Sequence, residues 1–188
     1  DEQTGDVIAG AKVKAFAEFH GDRRCFSTLT GKDGVYTFSG LPQGKYMVAA
    51  NAQNYLVEFW QEADSVKNAT IVEVANNVDV TDVNFTLLKA GSIAGVVADA
   101  ETNLGIAGAV IAAKKVGGTF AKKTRANDNG EYELSGLPTG EYFVAAWAKG
   151  FYKQFYLNAE TVEEAEKVAV EAATITPDID FLLTPREI

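Results

Sequence analysis

The chain writes one stretch twice. Residues Gly34 to Tyr55 and Gly130 to Phe151 follow the same pattern, and their Ser-Gly-Leu-Pro cores begin at Ser39 and Ser135, 96 residues apart. Each copy reads as a short strand, a Gly-Leu-Pro-x-Gly turn and a longer alternating strand, which predicts a β-hairpin held by its own turn chemistry. A repeat of this period in a 188-residue chain divides it into two domains, residues 1–89 and 90–188. Domains of that size bury enough surface for one modest core each.

Around the repeated stretch the second copy predicts further short strands. They are Gly91 to Ala98, about Gly108 to Lys114, a charged strand within Lys115 to Ala126, Lys167 to Glu171 and Pro177 to Leu183. Asn127-Asp128-Asn129-Gly130 is a turn signal. Phe151 to Leu157 reads as extended or irregular. Thr161 to Glu166 has the spacing of one helical turn, with Thr161 as cap and Glu164 three residues on. The first copy matches with Gly10 to Phe19, Cys25 to Thr30, Gly34 to Phe38, Gly44 to Gln53, Tyr55 to Trp60, Ala69 to Val74 and Val80 to Leu88. Short strands separated by turns, with no substantial helix, describe an all-β protein of two tandem β-sandwiches. Only Lys89 and Ala90 join the copies, a connection short enough to predict a rod-like tandem.

One piece has no partner. Residues Asp1 to Ile8 align with the loop from Asp99 to Ile106, so the first copy lacks a counterpart of the strand from Gly91 to Ala98. A sandwich without that strand exposes unpaired backbone and apolar side chains. Two sources of the strand stay open: sequence just upstream of residue 1, or a neighbouring molecule that donates it by β-augmentation. The second would make the chain a self-associating fibre subunit.

Several residue sets carry the resemblance that follows. They are Ile106-Ala107-Gly108-Ala109-Val110, Asn129-Gly130-Glu131-Tyr132, and Gly136-Leu137-Pro138-Thr139-Gly140-Glu141-Tyr142 with Val144, Ala146 and Ala148. The first copy has Ile8-Ala9-Gly10-Ala11, Asp33-Gly34-Val35-Tyr36 and Gly40-Leu41-Pro42-Gln43-Gly44-Lys45-Tyr46. Over essentially its whole length the chain resembles tandem carboxypeptidase regulatory-like domains. The resemblance implies a transthyretin-like (prealbumin-like) seven-stranded Greek-key sandwich in each copy, the first without its first strand. It also implies a module attached to secreted or surface proteins without doing chemistry. Collagen-adhesin B-type domains, a related fold, form an internal isopeptide bond between a first-strand Lys and a last-strand Asn or Asp, assisted by a Glu. The strand from Gly91 to Ala98 has no Lys, and Val144 to Ala146 and Val48 to Ala50 offer no acid.

Composition narrows the function classes. A net charge of −9 with scattered basic residues argues against nucleic acid as a partner. No apolar run reaches membrane-helix length, and no signal-peptide pattern opens the sequence. His20 and Cys25, the single His and Cys, share one loop with Asp22, Arg23 and Arg24. That set could activate a thiol, yet the second copy has no echo of it, and a surface hairpin explains it as well. One His and one Cys do not complete a zinc set, and Asp128-x-Gly130 and Asp33-Gly34 lack the acidic ladder of a calcium loop. The reading is therefore non-catalytic, with no cofactor and no metal.

Aromatic side chains are the candidate interaction surface. On the strand from Glu141 to Lys149, Tyr142, Val144, Ala146 and Ala148 face the core, leaving Phe143 and Trp147 on the other side. Phe151, Tyr152, Phe155 and Tyr156 follow, mirrored by Phe59 and Trp60. These residues either close the open end of each sandwich or bind a polysaccharide, a partner domain or the next subunit. Asn68-Ala69-Thr70 and Asn84-Phe85-Thr86 are glycosylation sequons, consistent with an extracellular or cell-surface location.

Overall fold

A computed structural model describes residues 1–19, 22–63, 66–119 and 121–186. The chain forms two compact units, Asp1–Lys89 and Ala90–Ile188. The first contains β1 (Lys12–Phe19), β2 (Asp22–Leu29), β3 (Gly44–Asn51), β4 (Glu58–Phe59) and β5 (Ile71–Val74). The second contains β6 (Gly91–Asp99), β7 (Val110–Lys115), β8 (Ala121–Arg125), β9 (Glu131–Leu137), β10 (Gly140–Trp147), β11 (Gln154–Phe155), β12 (Lys167–Val170), β13 (Ile175–Thr176) and β14 (Phe181–Leu183). Among the described residues the one helical element is a 3₁₀ turn at Tyr156–Asn158.

The second unit is a sandwich of two sheets. One runs β8-β7-β10, with β11 and β12 pairing different halves of the far edge of β10. The other is built on β6, which pairs antiparallel with β9 and parallel with β13 and β14. Alternation along the strands fills the space between the sheets. Tyr142, Val144 and Ala146 from β10 meet Ile93 and Val97 from β6, with Leu134 and Phe181 beside them, all at 2% exposure or less.

Ser-Gly-Leu-Pro-x-Gly makes a different connection from the one its turn residues predict. β9 and β10 do not pair: β9 bonds to β6, while β10 bonds to β7, β11 and β12. The turn is an arch carrying the chain from one sheet to the facing one. Gly136 enters it at φ 76°, a left-handed conformation that glycine adopts without steric cost. Tyr142 then donates its hydroxyl hydrogen back to the Pro138 carbonyl at 2.5 Å. The first copy repeats this with Gly40 at φ 71° and a Tyr46–Pro42 bond of 2.7 Å. The inward tyrosine of each long strand thus ties down the arch that precedes it. The Tyr46 and Tyr142 hydroxyls both titrate above the ordinary tyrosine range, because burial disfavours the phenolate.

The first unit has one complete sheet, β2-β1-β3 with β4 and β5 on the far edge of β3. It matches the β8-β7-β10 sheet strand for strand, and β3 and β10 share the same burial pattern. Its second layer is different. The expected strands Gly34 to Phe38 and Val80 to Leu88 are not formed as strands. The reason is visible in the second unit, where the matching β9, β13 and β14 all bond to β6. Without a strand in that place, none of the three segments has a ladder to join.

A smaller correction concerns Thr161 to Glu166, which is turn and irregular backbone. The capping pattern there has no apolar helical face behind it. The nearby 3₁₀ turn instead follows Phe155, with Leu157 at φ 56°.

Candidate functional site

Where the second unit holds β6, the first unit has an open groove of about 1170 Å³. Val13 and Val72 from the sheet form its floor, and Tyr36, Phe38, Val83 and Phe85 from the strandless layer form its walls. Comparing equivalent positions measures what is uncovered. Tyr132, Leu134, Leu137, Ile179 and Phe181 are all at 6% exposure or less, whereas Tyr36, Phe38, Leu41, Val83 and Phe85 are only partly buried. Five large apolar residues therefore line a trough instead of a closed core. Backbone tells the same story. In the second unit Ile179 N–H donates to Ala94 O and Ser92 N–H to Thr174 O. By the alignment of Asp1 with Asp99, the positions that match Ser92 and Ala94 fall ahead of residue 1.

The groove keeps its shape through two tethers. Tyr36 donates its hydroxyl hydrogen across the gap to Val83 O at 2.5 Å, as Tyr132 does to Ile179 O at 2.6 Å. Burial of Tyr36 pushes its hydroxyl up to about 12, so this donor stays protonated at any ordinary pH. At the other end Asp1 sits where Asp99 ends β6. The hairpin of β1 and β2 is longer than that of β7 and β8, which accounts for the changed spacing of the repeat. The Asp1 carboxylate accepts N–H bonds from Gln3 and Thr4, as Asp99 does from Glu101 and Thr102. Glu2 N–H donates to Leu87 O at 3.0 Å, just as Ala100 N–H donates to Leu183 O at 3.0 Å. The first unit adds bonds of its own: Tyr55 donates to the Asp1 carboxylate at 2.6 Å and Lys89 pairs with it at 2.9 Å. With only 4% of its side chain exposed, Asp1 is an anchor at the end of the groove.

Carboxypeptidase regulatory-like domains match over residues 1–88 and again over 92–183. The chain belongs to that family. No curated protein matches the chain. Among solved structures, the minor pilin of Streptococcus agalactiae is 16% identical, with 99% of this chain and 87% of that one covered and a TM-score of 0.38. A streptococcal ancillary pilin is 15% identical over 100% of this chain and 60% of its own, with a TM-score of 0.41. The shaft pilin SpaA of Lactobacillus rhamnosus GG is 11% identical, covering 96% of this chain and 89% of that one, at a TM-score of 0.41.

In these two regulatory-like domains the candidate aromatic residues differ in burial and contacts. Trp60 packs against the first core, and Phe151 and Tyr156 against the second. Tyr156 meets Phe181 edge-on at 6.3 Å. Phe59 on β4 and Phe143 on β10 are half-buried. Trp147 and Phe155 share Lys153, whose ammonium lies 6.0 Å and 4.4 Å from the two rings. Tyr152 is exposed, with the Arg186 guanidinium 5.4 Å from its ring.

The remaining candidates separate. His20 lies outside the described residues, and Cys25 is an exposed thiol on β2 beside exposed Asp22, Arg23 and Arg24. Among the described residues no group of three or more His, Cys, Asp or Glu is placed to hold a metal ion. The Asn-Gly turn is internally satisfied, since Asn127 Oδ1 accepts from Asn129 and Glu131 N–H. Asn68 and Asn84 are both exposed.

Sequence reasoning overlooked the acid-lined hollow formed by Glu58, Trp60, Gln61, Glu62, Asp82, Asn84 and Thr86. Burial raises the Glu58 pKa first of all; a bond to the Thr86 backbone opposes this, while Glu62 and Glu2 add to it. An acid whose folded pKa lies above its unfolded value costs stability once pH rises from the unfolded towards the folded pKa and beyond. Glu58→Gln is therefore expected to raise the melting temperature of the first unit at neutral pH. The gain should vanish below the ordinary carboxylate range, where Glu58 is protonated in both states, and thermal melts across pH check this.

Proposed function

We propose that this chain is a non-catalytic structural module, working outside the cell or on its surface, whose first unit is completed by an extended strand from outside residues 1–188. The observation that carries this reading is the open groove at the position of β6. An apolar trough walled by segments that join no ladder matches what β-augmentation requires, since main-chain bonds give affinity and alternate side chains fill pockets. Supplied by a neighbouring molecule, that strand would join modules in series, an assembly role of the kind a fibre subunit has; supplied by residues ahead of Asp1, it would close the unit in cis. The exposed sequon asparagines accord with an external location. A polysaccharide-binding role has less support, because Lys153 already lies against the Trp147 and Phe155 rings and Phe151 and Tyr156 pack against the second core.

A fluorescent peptide with the sequence Gly91–Ala98 tests the reading by anisotropy titration. Saturable one-to-one binding to the chain is expected. The same eight residues fused ahead of Asp1 should abolish it, because the groove is then filled in cis. Absence of binding to the unfused chain would contradict the proposal.

A further inference from the structure

The two outer faces of the second unit carry opposite charge. Along β7 and β10, Ile111, Ala113, Val144 and Ala146 are buried, so the residues between them point to solvent. That outer face holds Lys114 on β7, Lys123 and Arg125 on β8, Lys167 on β12 and Lys153 just ahead of β11, all exposed. The one acid among its paired, described residues is Glu141, which Lys167 already neutralises at 3.1 Å. Lys123 stands two residues from Arg125 on one strand and diagonal to Lys114 on the next, so the like charges are close neighbours. Between the cations lie Val110, Ala112, Phe143, Trp147 and Phe155, instead of the polar residues that a solvated sheet face carries.

The other sheet turns the opposite sign outward. Glu133 pairs with Ala94 and Glu131 with Val96, and Asp180 beside them accepts the Val96 N–H at 2.7 Å. Strands β6, β9, β13 and β14 contain no lysine or arginine. Here too the middle is apolar. Val96, Ile175 and Leu182 are 37%, 59% and 46% exposed, with Ile175 opposite Ser92 and Leu182 opposite Ala98 on β6. Apolar side chains ranged along an open sheet are what an interface covers.

We infer that the second unit docks onto the second unit of another copy of this chain, the outer face of β8-β7-β10 on one molecule meeting the outer face of β9-β6-β14 on the next. Complementarity identifies the occupant: each face sets charges of one sign around an apolar centre, and the two signs are opposite. An acidic partner of another kind would account for the cations and leave Val96, Ile175 and Leu182 uncovered. Because the two surfaces differ, the contact is head-to-tail and passes from copy to copy. A face three or four strands wide, with strands about 4.8 Å apart and about 30 Å long, offers about 400–600 Å². That is below the ~800 Å² per partner of a stable complex, so each contact is weak and forms at about 100 µM chain. Neither face belongs to the groove, and the inference does not rest on the strand-acceptor reading.

Sedimentation velocity on the intact chain and two charge-reversed variants tests it. Glu131→Lys with Glu133→Lys makes both faces basic, whereas Lys114→Glu, Lys123→Glu and Arg125→Glu together make both acidic. All five positions are exposed, and melting curves check that each variant folds. The parent chain is expected to sediment faster as its concentration rises through about 100 µM. Each variant alone should stay at the monomer's rate, its association constant lowered at least about tenfold, and an equimolar mixture of the two should recover the parent's rise. A mixture no faster than its components, or a parent chain still monomeric at about 0.5 mM, would overturn the inference. So would a monomeric chain retained by an acidic polysaccharide, which would then be the occupant of the basic face. Every variant leaves the groove residues unaltered, so the strand-acceptor reading stands or falls separately.

Discussion

Gly95→Val is expected to lower the melting transition of the second unit and leave that of the first where it was. The chain carries one tryptophan in each unit, Trp60 and Trp147, so a single-tryptophan pair of variants reports the two transitions separately. The added side chain has nowhere to go, because its first carbon already collides with the Ile179 carbonyl. Relief requires β6 to move, and β6 is the strand to which β9, β13 and β14 all bond. A loss of about 3 kcal/mol or more follows, which lowers the Trp147 transition by about 10 °C or more for a domain of this size. The Trp60 transition should hold still, since Gly95 has no counterpart in the first unit. An unchanged Trp147 transition would mean that β6 does not occupy the position described.

The converse change should stabilise the first unit. Fusing Gly-Ser-Ile-Ala-Gly-Val-Val-Ala directly ahead of Asp1 supplies the strand in cis, with no loop needed because Asp1 already sits at its last rung. Burying the new Ile and Val contributes about 1.5–3 kcal/mol each, and the five half-covered groove residues lose further apolar surface to water. The new ladder bonds add about 1 kcal/mol apiece, and ordering the eight residues opposes the gain. A rise of about 10 °C or more in the Trp60 transition is expected, with the Trp147 transition fixed. The same fusion with valine in place of the glycine facing Val83 should give little of that rise. Were both fusions to leave the Trp60 transition unmoved, the groove would not be a strand site.

Much of this organisation can be read from the residues before any coordinates. The repeat places two all-β units and reveals that one begins a strand late, because alignment needs only the turn residues and the inward apolar positions. What alternation leaves out is pairing. Val35 to Phe38 and Val80 to Leu88 alternate like strands, and they do turn alternate residues inward. They form no ladder because residues 1–188 hold no counterpart of β6 for them to pair with. Gly-Leu-Pro-x-Gly likewise specifies a sharp reversal without stating whether the flanking strands share a sheet; the Tyr46–Pro42 and Tyr142–Pro138 bonds make it an arch. The groove's tethers were beyond sequence reasoning for a further reason. Tyr36 and Val83 lie 47 residues apart, and Asp1 finds Tyr55 and Lys89 only once the fold has brought them together.

Native-state amide hydrogen exchange on the unmodified chain decides whether the first unit's second layer is an open groove. Residues 35–41 and 83–87 should exchange orders of magnitude faster than residues 131–137 and 179–183, which hold the same positions around β6. Adding the Gly91–Ala98 peptide should then slow the first pair of segments and leave the second unchanged. Equal protection of both pairs in the chain alone would mean that the first unit already closes its own second sheet, contradicting the account.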